Sequence, residues 1–444
     1  VPAKAPSDPP STSSGSGPSG VGTALAEAPT LIIGAGLSGL AAAVALAERG
    51  EPFVLIDAAD APGGRVRSDV VDGFILDRGF QVLLTSYEEA ARVLDFEALD
   101  LGTFEPGAFV RVGETFARAA DPWRRPTTAF SPSWLRVLRP ADAWRLMRLR
   151  ALALDGDAPI PAISTAAFLA ERGFSEHAIG HFFRPFFGGV FLDRTLSAPA
   201  PVFMRLFARF AKGLAAVPAR GMQAIADQLA ARLPAGSLQL KCSVRAITRG
   251  TATFDDGSTA TPKRIVLATG GRVARQVLLA GEDARAASLE DLAGVGDEAT
   301  TTQHYALAGA PPKALTRPML YLGGPDDDVV HHVAPMSAVA PGLAPAGATL
   351  LSASTDGVAD ASPAHEARVR QTLGRWFGID PERLRHLRTD AIRHALPAQT
   401  AARLEAPGHR KLGPGLVVCG DDLGDRSIEG ALLAGRAAAA ALFA

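Results

Sequence analysis

The stretch from Thr30 to Asp57 constrains the fold more than any other part of the chain. Leu31-Ile32-Ile33 is a short apolar run of the kind that forms a strand covered on both faces. Gly34-Ala35-Gly36-Leu37-Ser38-Gly39 follows at once. Leu40, Ala41, Val44 and Ala47 then recur at helical spacing up to Gly50, and Phe53-Val54-Leu55-Ile56 reads as a second strand ending on Asp57. This is a β-α-β unit with a glycine-rich first turn. The three glycines do different things. Gly34 makes the turn, Gly36 lets a pyrophosphate approach the backbone, and Gly39 lets helix and strand pack closely. The helix N-terminus at Leu37 and Ser38 supplies N–H groups and a partial positive charge for phosphates. Asp57, 18 residues past Gly39, stands where a carboxylate accepts hydrogen bonds from a ribose hydroxyl. The bland alternative is a glycine-rich turn with no ligand. The full strand–turn–helix–strand–acid context favours a dinucleotide.

Composition narrows what the rest can be. With 444 residues, 47 % hydrophobic and 20 % charged, the chain is too long for one small core and too apolar to be disordered throughout. Lys+Arg and Asp+Glu number 45 and 46, so the basic excess of a general nucleic-acid binder is missing and no nucleic-acid partner is expected. No run of 18 apolar residues free of charge occurs, and no transmembrane helix is expected. Cys242 and Cys419 are the two cysteines, too few for a disulfide scaffold or a structural zinc site. The first residues carry no apolar signal region, and a reducing cytoplasm is the expected compartment. No metal is expected. His177 and His181 are four apart, but Gly180 weakens a helix there, and adjacent His331 and His332 on a strand should point to opposite faces.

Gly63-Gly64-Arg65 and Asp77-Arg78-Gly79 follow Asp57. Near the other terminus stand Gly420-Asp421-Asp422, Ser427-Ile428-Glu429-Gly430-Ala431 and Gly435. With Gly34 to Gly39, this set resembles the flavin amine oxidase and phytoene-desaturase-like superfamily, which includes protoporphyrinogen oxidase. The resemblance implies FAD as cofactor. Arg65, after Gly64, is then near the pyrophosphate, and Gly79, Phe80, Gln81 and Val82 pass along the isoalloxazine ring. Cys242-Ser243-Val244 looks like the strand whose valine backbone meets the adenine. Asp421, after Gly420, accepts from a ribityl or ribose hydroxyl. The N–H groups at Ser427 and Ile428 open a helix whose positive end faces the flavin and stabilises its reduced anion.

The expected fold is α/β, a Rossmann-type FAD-binding domain interleaved with an α+β substrate domain. Residues 1–28, rich in Pro, Ser, Gly and Ala, are set aside as a disordered tail. The FAD domain takes residues 29–80, 215–290 and 395–444, and the substrate domain residues 81–214 and 291–394. An acidic stretch over 281–300 reads as a boundary. Phenylalanines at 182, 183, 186, 187, 191, 203, 207 and 210 are read either as core or as an apolar tunnel. Residues 111–150 hold nine Arg against three acids, and Trp134, Trp144 and Met147 interleave with them. This segment is read as a solvated amphipathic stretch or as a peripheral membrane contact, and Pro140 should interrupt any single helix across it.

Many amine oxidases of the family carry a lysine linked through water to the flavin. Here Lys313 falls in a loop-like Ala310-Pro311-Pro312-Lys313 run, and no equivalent can be placed. The function expected is therefore oxidation of a lipophilic isoprenoid- or tetrapyrrole-like substrate, with O2 or a quinone reoxidising the flavin. Amine oxidation, non-redox flavin isomerisation and a flavin-free prenyl-chain escort are the rivals. No side chain can be assigned as catalytic acid or base.

Overall fold

The computed structural model describes residues 29–444 apart from 126–130, 157, 294, 295 and 399. The tail expected over 1–28 lies outside the described residues. The strand Thr30–Ile33 is wholly buried and sits inside a six-stranded sheet. From one edge the order is Leu238–Gln239, Val54–Ile56, Thr30–Ile33, Arg264–Leu267, Leu416–Cys419 and His409–Gly413. The last strand pairs antiparallel with its neighbour and the others run parallel. Three distant parts of the chain thus build one sheet.

Side-chain alternation divides these apolar runs between two cores. Ile32, Leu55, Val266 and Val417 pack with Leu40, Val44, Ile225 and Leu432 on one face. Leu31, Ile33, Ile56, Ile265 and Val418 pack with Ala274, Leu278, Ile247 and Phe254 on the other. The helices Leu37–Glu48 and Ile428–Ala441 lie together on the first face. A Cβ on Gly435 would stand 1.9 Å from the Ser38 carbonyl oxygen, so the two backbones meet with no room for a side chain.

A second sheet has seven strands, ordered Leu384–Pro397, Asp297–Leu307, Thr349–Asp356, His332–Pro335, Leu320–Leu322, Gly107–Val112 and Thr115–Ala120. It is antiparallel except where Leu320–Leu322 runs parallel to Gly107–Val112. Its strand Asp297–Leu307 begins inside the acidic stretch read as a boundary. The charge there is tolerated because Asp297 forms an ion pair with Arg272 and a 2.7 Å contact with His394. The helices Pro140–Leu154, Arg184–Phe191 and Ala200–Lys212 form a third core with Val110, Ala117 and Leu322. Pro140 interrupts the segment as expected, separating the short helix Pro132–Leu135 from its own, and it stands at the first helical position, where a proline lacks only an N–H that would be orphaned anyway. A small sheet, Leu83–Leu84, Ala215–Pro218 and Leu101–Thr103, draws strands from both sides of position 214, where the sequence reading divides the domains.

Charged side chains tie the hairpin Ser68–Val71/Phe74–Asp77 to the second sheet. Asp69 accepts from Arg78 Nε at 2.8 Å and from Arg388 Nη1, on the strand Leu384–Pro397, at 2.7 Å. The Arg78 hydrogen bond leads in holding Asp69 at about 2 against an ordinary 3.8, with the Arg78 and Arg388 charges adding to it. A folded-state value below the unfolded one means that this stabilisation is complete above the unfolded value and lost as pH falls through the folded one. Thermal midpoints of wild type and Asp69→Asn, measured between pH 5 and pH 2, are expected to differ above about pH 4 and to converge toward pH 2. Parallel curves would show that the carboxylate does not hold this junction.

Candidate active site

Both large sheets contribute walls to a cavity of about 1020 Å³. Gly34, Gly36, Leu37, Ser38, Asp57, Gly64 and Arg65 line one part of it. Gly79, Phe80, Gln81, Val82, Gly420, Asp421, Ser427 and Ile428 line another. Gly39 and Val244 are not among the lining residues. Gly39 is buried between helix and strand, where a Cβ would fall 1.7 Å from the Gly34 carbonyl oxygen. Val244 opens the strand Val244–Thr248, and the nearby Cys242 N–H donates to the Asp57 carbonyl at 2.9 Å.

The glycine turn leaves a cradle open to the cavity. Gly34 has φ +103°, and a Cβ on it would press on the Ala268 carbonyl at 2.9 Å. Gly36 is extended, with φ −70° and ψ 179°, and a Cβ on it would meet nothing within 4 Å. No side chain caps the helix Leu37–Glu48, and its first turn holds no acid, so its positive end is offered to a ligand. Asp57 accepts from the N–H groups of Ala35 at 2.6 Å and Ala59 at 2.8 Å, one on each oxygen. Each oxygen keeps a further lone pair for a ribose hydroxyl.

The segment Gly79–Val82 is held by backbone contacts. Gly79 N–H donates to Asp390 at 3.3 Å, Phe80 N–H to Thr302 Oγ1 at 3.3 Å, and Gln81 Nε2 to the Arg65 carbonyl at 2.8 Å. Gly79 has φ +83°, and a Cβ there would strike Ile392 Cδ1 at 2.9 Å. Just before it, Asp77 accepts from Ser68 at 2.6 Å and from the Met222 N–H at 2.8 Å, while burial pushes its carboxyl upward.

The C-terminal motif closes the opposite wall. Asp421 forms an ion pair with Arg65, joining residues 356 apart in sequence. Asp422 accepts from the Gly271 N–H at 2.7 Å, and burial, aided by the neighbouring Asp421, pushes its carboxyl upward. Ser427 caps the helix Ile428–Ala441 through the Gly430 N–H at 3.0 Å. Arg426, which no sequence motif marks, lines the cavity and donates to the Pro397 carbonyl at 2.8 Å. Burial, with Arg403 nearby, lowers its guanidinium to about 10. Its Nε and Nη2, and Oδ1 of Asp422, find no protein partner. Buried polar groups left this way are costly, and a polar ligand in the cavity would satisfy them.

The remaining lining is largely aromatic and apolar, with charged side chains such as Glu105, Asp121, Arg124, Arg150, Arg205 and Arg209 among it. Phe182, Phe186, Phe187, Phe191, Phe207 and Phe210 line the cavity; Phe187, Phe191 and Phe207 are at the same time buried in the core with Phe183 and Phe203. The phenylalanine run is thus shared between core and cavity lining. His331 and His332 correct the sequence expectation. His331 precedes the strand His332–Pro335, and both Nδ1 atoms converge on Asp356 Oδ2, at 3.3 Å and 3.8 Å. Burial pushes the Asp356 carboxyl up, but the His332 and His331 imidazoles outweigh it and hold it below the usual range. His332 also lines the cavity, its ring 5.0 Å from that of Phe80. Nothing in local spacing connects position 332 to position 356, so only the paired strands reveal the cluster. His177 and His181 stack at 4.2 Å, and each ring bonds a backbone carbonyl. Among the described residues no group of three or more His, Cys, Asp or Glu could hold a metal.

The open cradle, the uncapped helix and the orphaned polar atoms fit FAD. Gly36, Gly64 and the helix N-terminus would hold its pyrophosphate, Asp57 its ribose, and Asp421 with the Ile428 helix its flavin half. Such a site, set between a parallel dinucleotide-binding sheet and a second sheet with an apolar chamber, defines an FAD-dependent oxidoreductase. The chain belongs to the flavin-containing amine oxidoreductase family, whose model matches residues 37–443.

Protoporphyrinogen oxidase 2, chloroplastic/mitochondrial, from Arabidopsis thaliana is 27 % identical over 163 residues, 36 % of this chain and 31 % of that one. Hydroxyneurosporene desaturase from Rubrivivax gelatinosus is 45 % identical over 49 residues, 11 % of this chain and 9 % of that one. The matched segments thus span less than a third of either relative. An oxidoreductase from Methanosarcina mazei superposes with a TM-score of 0.71 at 19 % identity, covering 92 % of this chain and 99 % of that one. Putrescine oxidase bound to putrescine superposes at 0.69 and 17 % identity, covering 94 % and 99 %. At these identities the structural matches speak for the fold. Among the described residues no helix is long and apolar enough to cross a membrane.

Proposed function

We propose that this protein dehydrogenates a lipophilic molecule, by isoprenoid-like desaturation or tetrapyrrole-like oxidation, and that O2 or a quinone then takes the electrons. The carrying observation is the wall of six phenylalanines that continues the cofactor cradle. An aromatic wall desolvates and orients an extended apolar donor and keeps bulk water from it. FAD, when bound, supplies hydride acceptance. The chain's own part is positioning and electrostatics. Ser427 fixes the start of the helix Ile428–Ala441, whose positive end lies at the cavity. Arg65 and Asp421 clamp the opposite walls together. The names of the two relatives, an oxidase and a desaturase, support this reading. Amine oxidation draws support from the putrescine oxidase fold, but no lysine is among the described residues lining the cavity.

The test is anaerobic mixing of the flavin-loaded protein with lipophilic polyenes, reduced tetrapyrroles and small amines. Flavin bleaching by a lipophilic donor, with a product two hydrogens lighter, is the expected result. Bleaching by amines alone would overturn the proposal, as would a product of unchanged mass.

A further inference from the structure

We infer that the outward face of the helix Pro140–Leu154 docks on an anionic lipid bilayer, from which the donor enters the cavity behind that helix. The inference rests on the lipophilic-substrate reading for the donor's route, while the docking surface stands on its own geometry. Trp144 is 54 % exposed, Met147 47 % and Leu154 36 %. Helical spacing puts them with Ala151 on one stripe, and Leu135 in the preceding turn is also exposed. A tryptophan and a methionine left in water on one helix face mark a surface that is covered in use.

The charge around the stripe selects the partner. Arg136, Arg139 and Arg148 are exposed, and the Arg148 guanidinium lies 4.7 Å from the Trp144 ring centre. Asp142 does not offset them: it is buried and accepts from the Ser175 hydroxyl at 2.6 Å and its N–H at 2.9 Å. Asp155 stands at the C-terminal end of the stripe. An apolar stripe carrying tryptophan and flanked by arginines is the composition of a helix that lies in a bilayer interface, with the rings below the headgroups and the guanidinium groups among the phosphates. A protein partner or a second copy would need an acidic patch set around an apolar groove.

The same helix separates this face from the cavity. Leu146 and Arg150, on its other side, line the cavity together with Trp123 and the exposed Arg124. Arg150 lies over the Trp123 ring at 4.7 Å. A donor dissolved in the bilayer would therefore travel about one helix diameter, roughly 10 Å, to reach the aromatic chamber. It would not have to cross water.

The experiment is flotation of the FAD-loaded protein with vesicles of phosphatidylcholine, and of phosphatidylcholine with one third phosphatidylglycerol. Binding to the anionic vesicles, weakened by salt, is expected. Trp144→Ser/Met147→Ser should cut the partition coefficient at least about tenfold. Arg139→Gln/Arg148→Gln should cut it on the order of tenfold for anionic vesicles, with little change for neutral ones. Because Trp144, Met147 and Arg148 are exposed on the helix and Arg139 is exposed at its N-cap, thermal midpoints and flavin content should stay at wild-type values. Absence of binding would overturn the inference, as would binding that both double variants leave intact. Self-association lost in Trp144→Ser/Met147→Ser without vesicle binding would reassign the face to a second copy. Turnover in detergent micelles separates the two proposals: vesicle binding without oxidation of any lipophilic donor overturns the substrate reading and leaves docking standing.

Discussion

Gly36→Val will yield a folded protein that no longer retains FAD. The backbone at Gly36 is ordinary extended geometry, φ −70° and ψ 179°, which valine adopts readily. A Cβ there touches no protein atom within 4 Å. The fold therefore gives the side chain room, and the cost to the protein alone is that of a poorer helix N-cap, about 1 kcal/mol. The room it takes is the cradle itself. A pyrophosphate must approach the backbone here to reach the N–H groups at the start of the helix Leu37–Glu48, and two methyl groups would hold it away. FAD affinity should fall by at least about 100-fold, or about 2.7 kcal/mol. The purified variant should be colourless, with a thermal midpoint within a few degrees of deflavinated wild type. Retention of FAD at wild-type affinity would show that the phosphates lie elsewhere.

Gly39→Ala, three residues on, should fail for the opposite reason. Its Cβ would sit 1.7 Å from the Gly34 carbonyl oxygen and 3.3 Å from the Ala268 side chain. The clash is with backbone, which cannot rotate away, so helix and strand must separate. Ordinary overpacking costs about 1–3 kcal/mol, and this case should reach at least about 3 kcal/mol. A fall in the midpoint of the deflavinated protein of roughly 3 °C or more should follow, along with a lower folded yield. Added FAD would rescue Gly39→Ala in part, by mass action on the folded state, and would not rescue Gly36→Val. A Gly39→Ala protein of unchanged midpoint would mean that the helix and strand are not in the close contact described. The two substitutions separate two roles of one motif, ligand approach and packing.

What is legible in the sequence rests on short-range chemistry. Strand, glycine turn, helix and acid stand together between Thr30 and Asp57, and the fold they imply is the six-stranded, mostly parallel core. The closing helix is legible for the same reason, since Ser427 at the head of an Ala-rich run is a local N-cap signal. The acidic stretch lies where the chain passes from Arg264–Leu267 of the first sheet to Asp297–Leu307 of the second, and no window of sequence shows that Arg272 and His394 are there to meet Asp297. Pro140 is legible as an interruption because a proline cannot sit inside a helix, and it divides Pro132–Leu135 from Pro140–Leu154 by occupying the first position of the second.

Local pattern is thus sufficient for the dinucleotide half: the glycine turn, Asp57 and the two helix N-termini are specified by residues a few positions apart. Tertiary packing alone decided the rest. It set Phe186 and Phe210 on the cavity wall while Phe183 and Phe203 became core, brought Arg65 to Asp421, and turned His331 and His332 onto one buried carboxylate. The reason is physical. Periodicity states which side of its own element a residue occupies, but what lies on that side depends on which distant element buries its apolar face there.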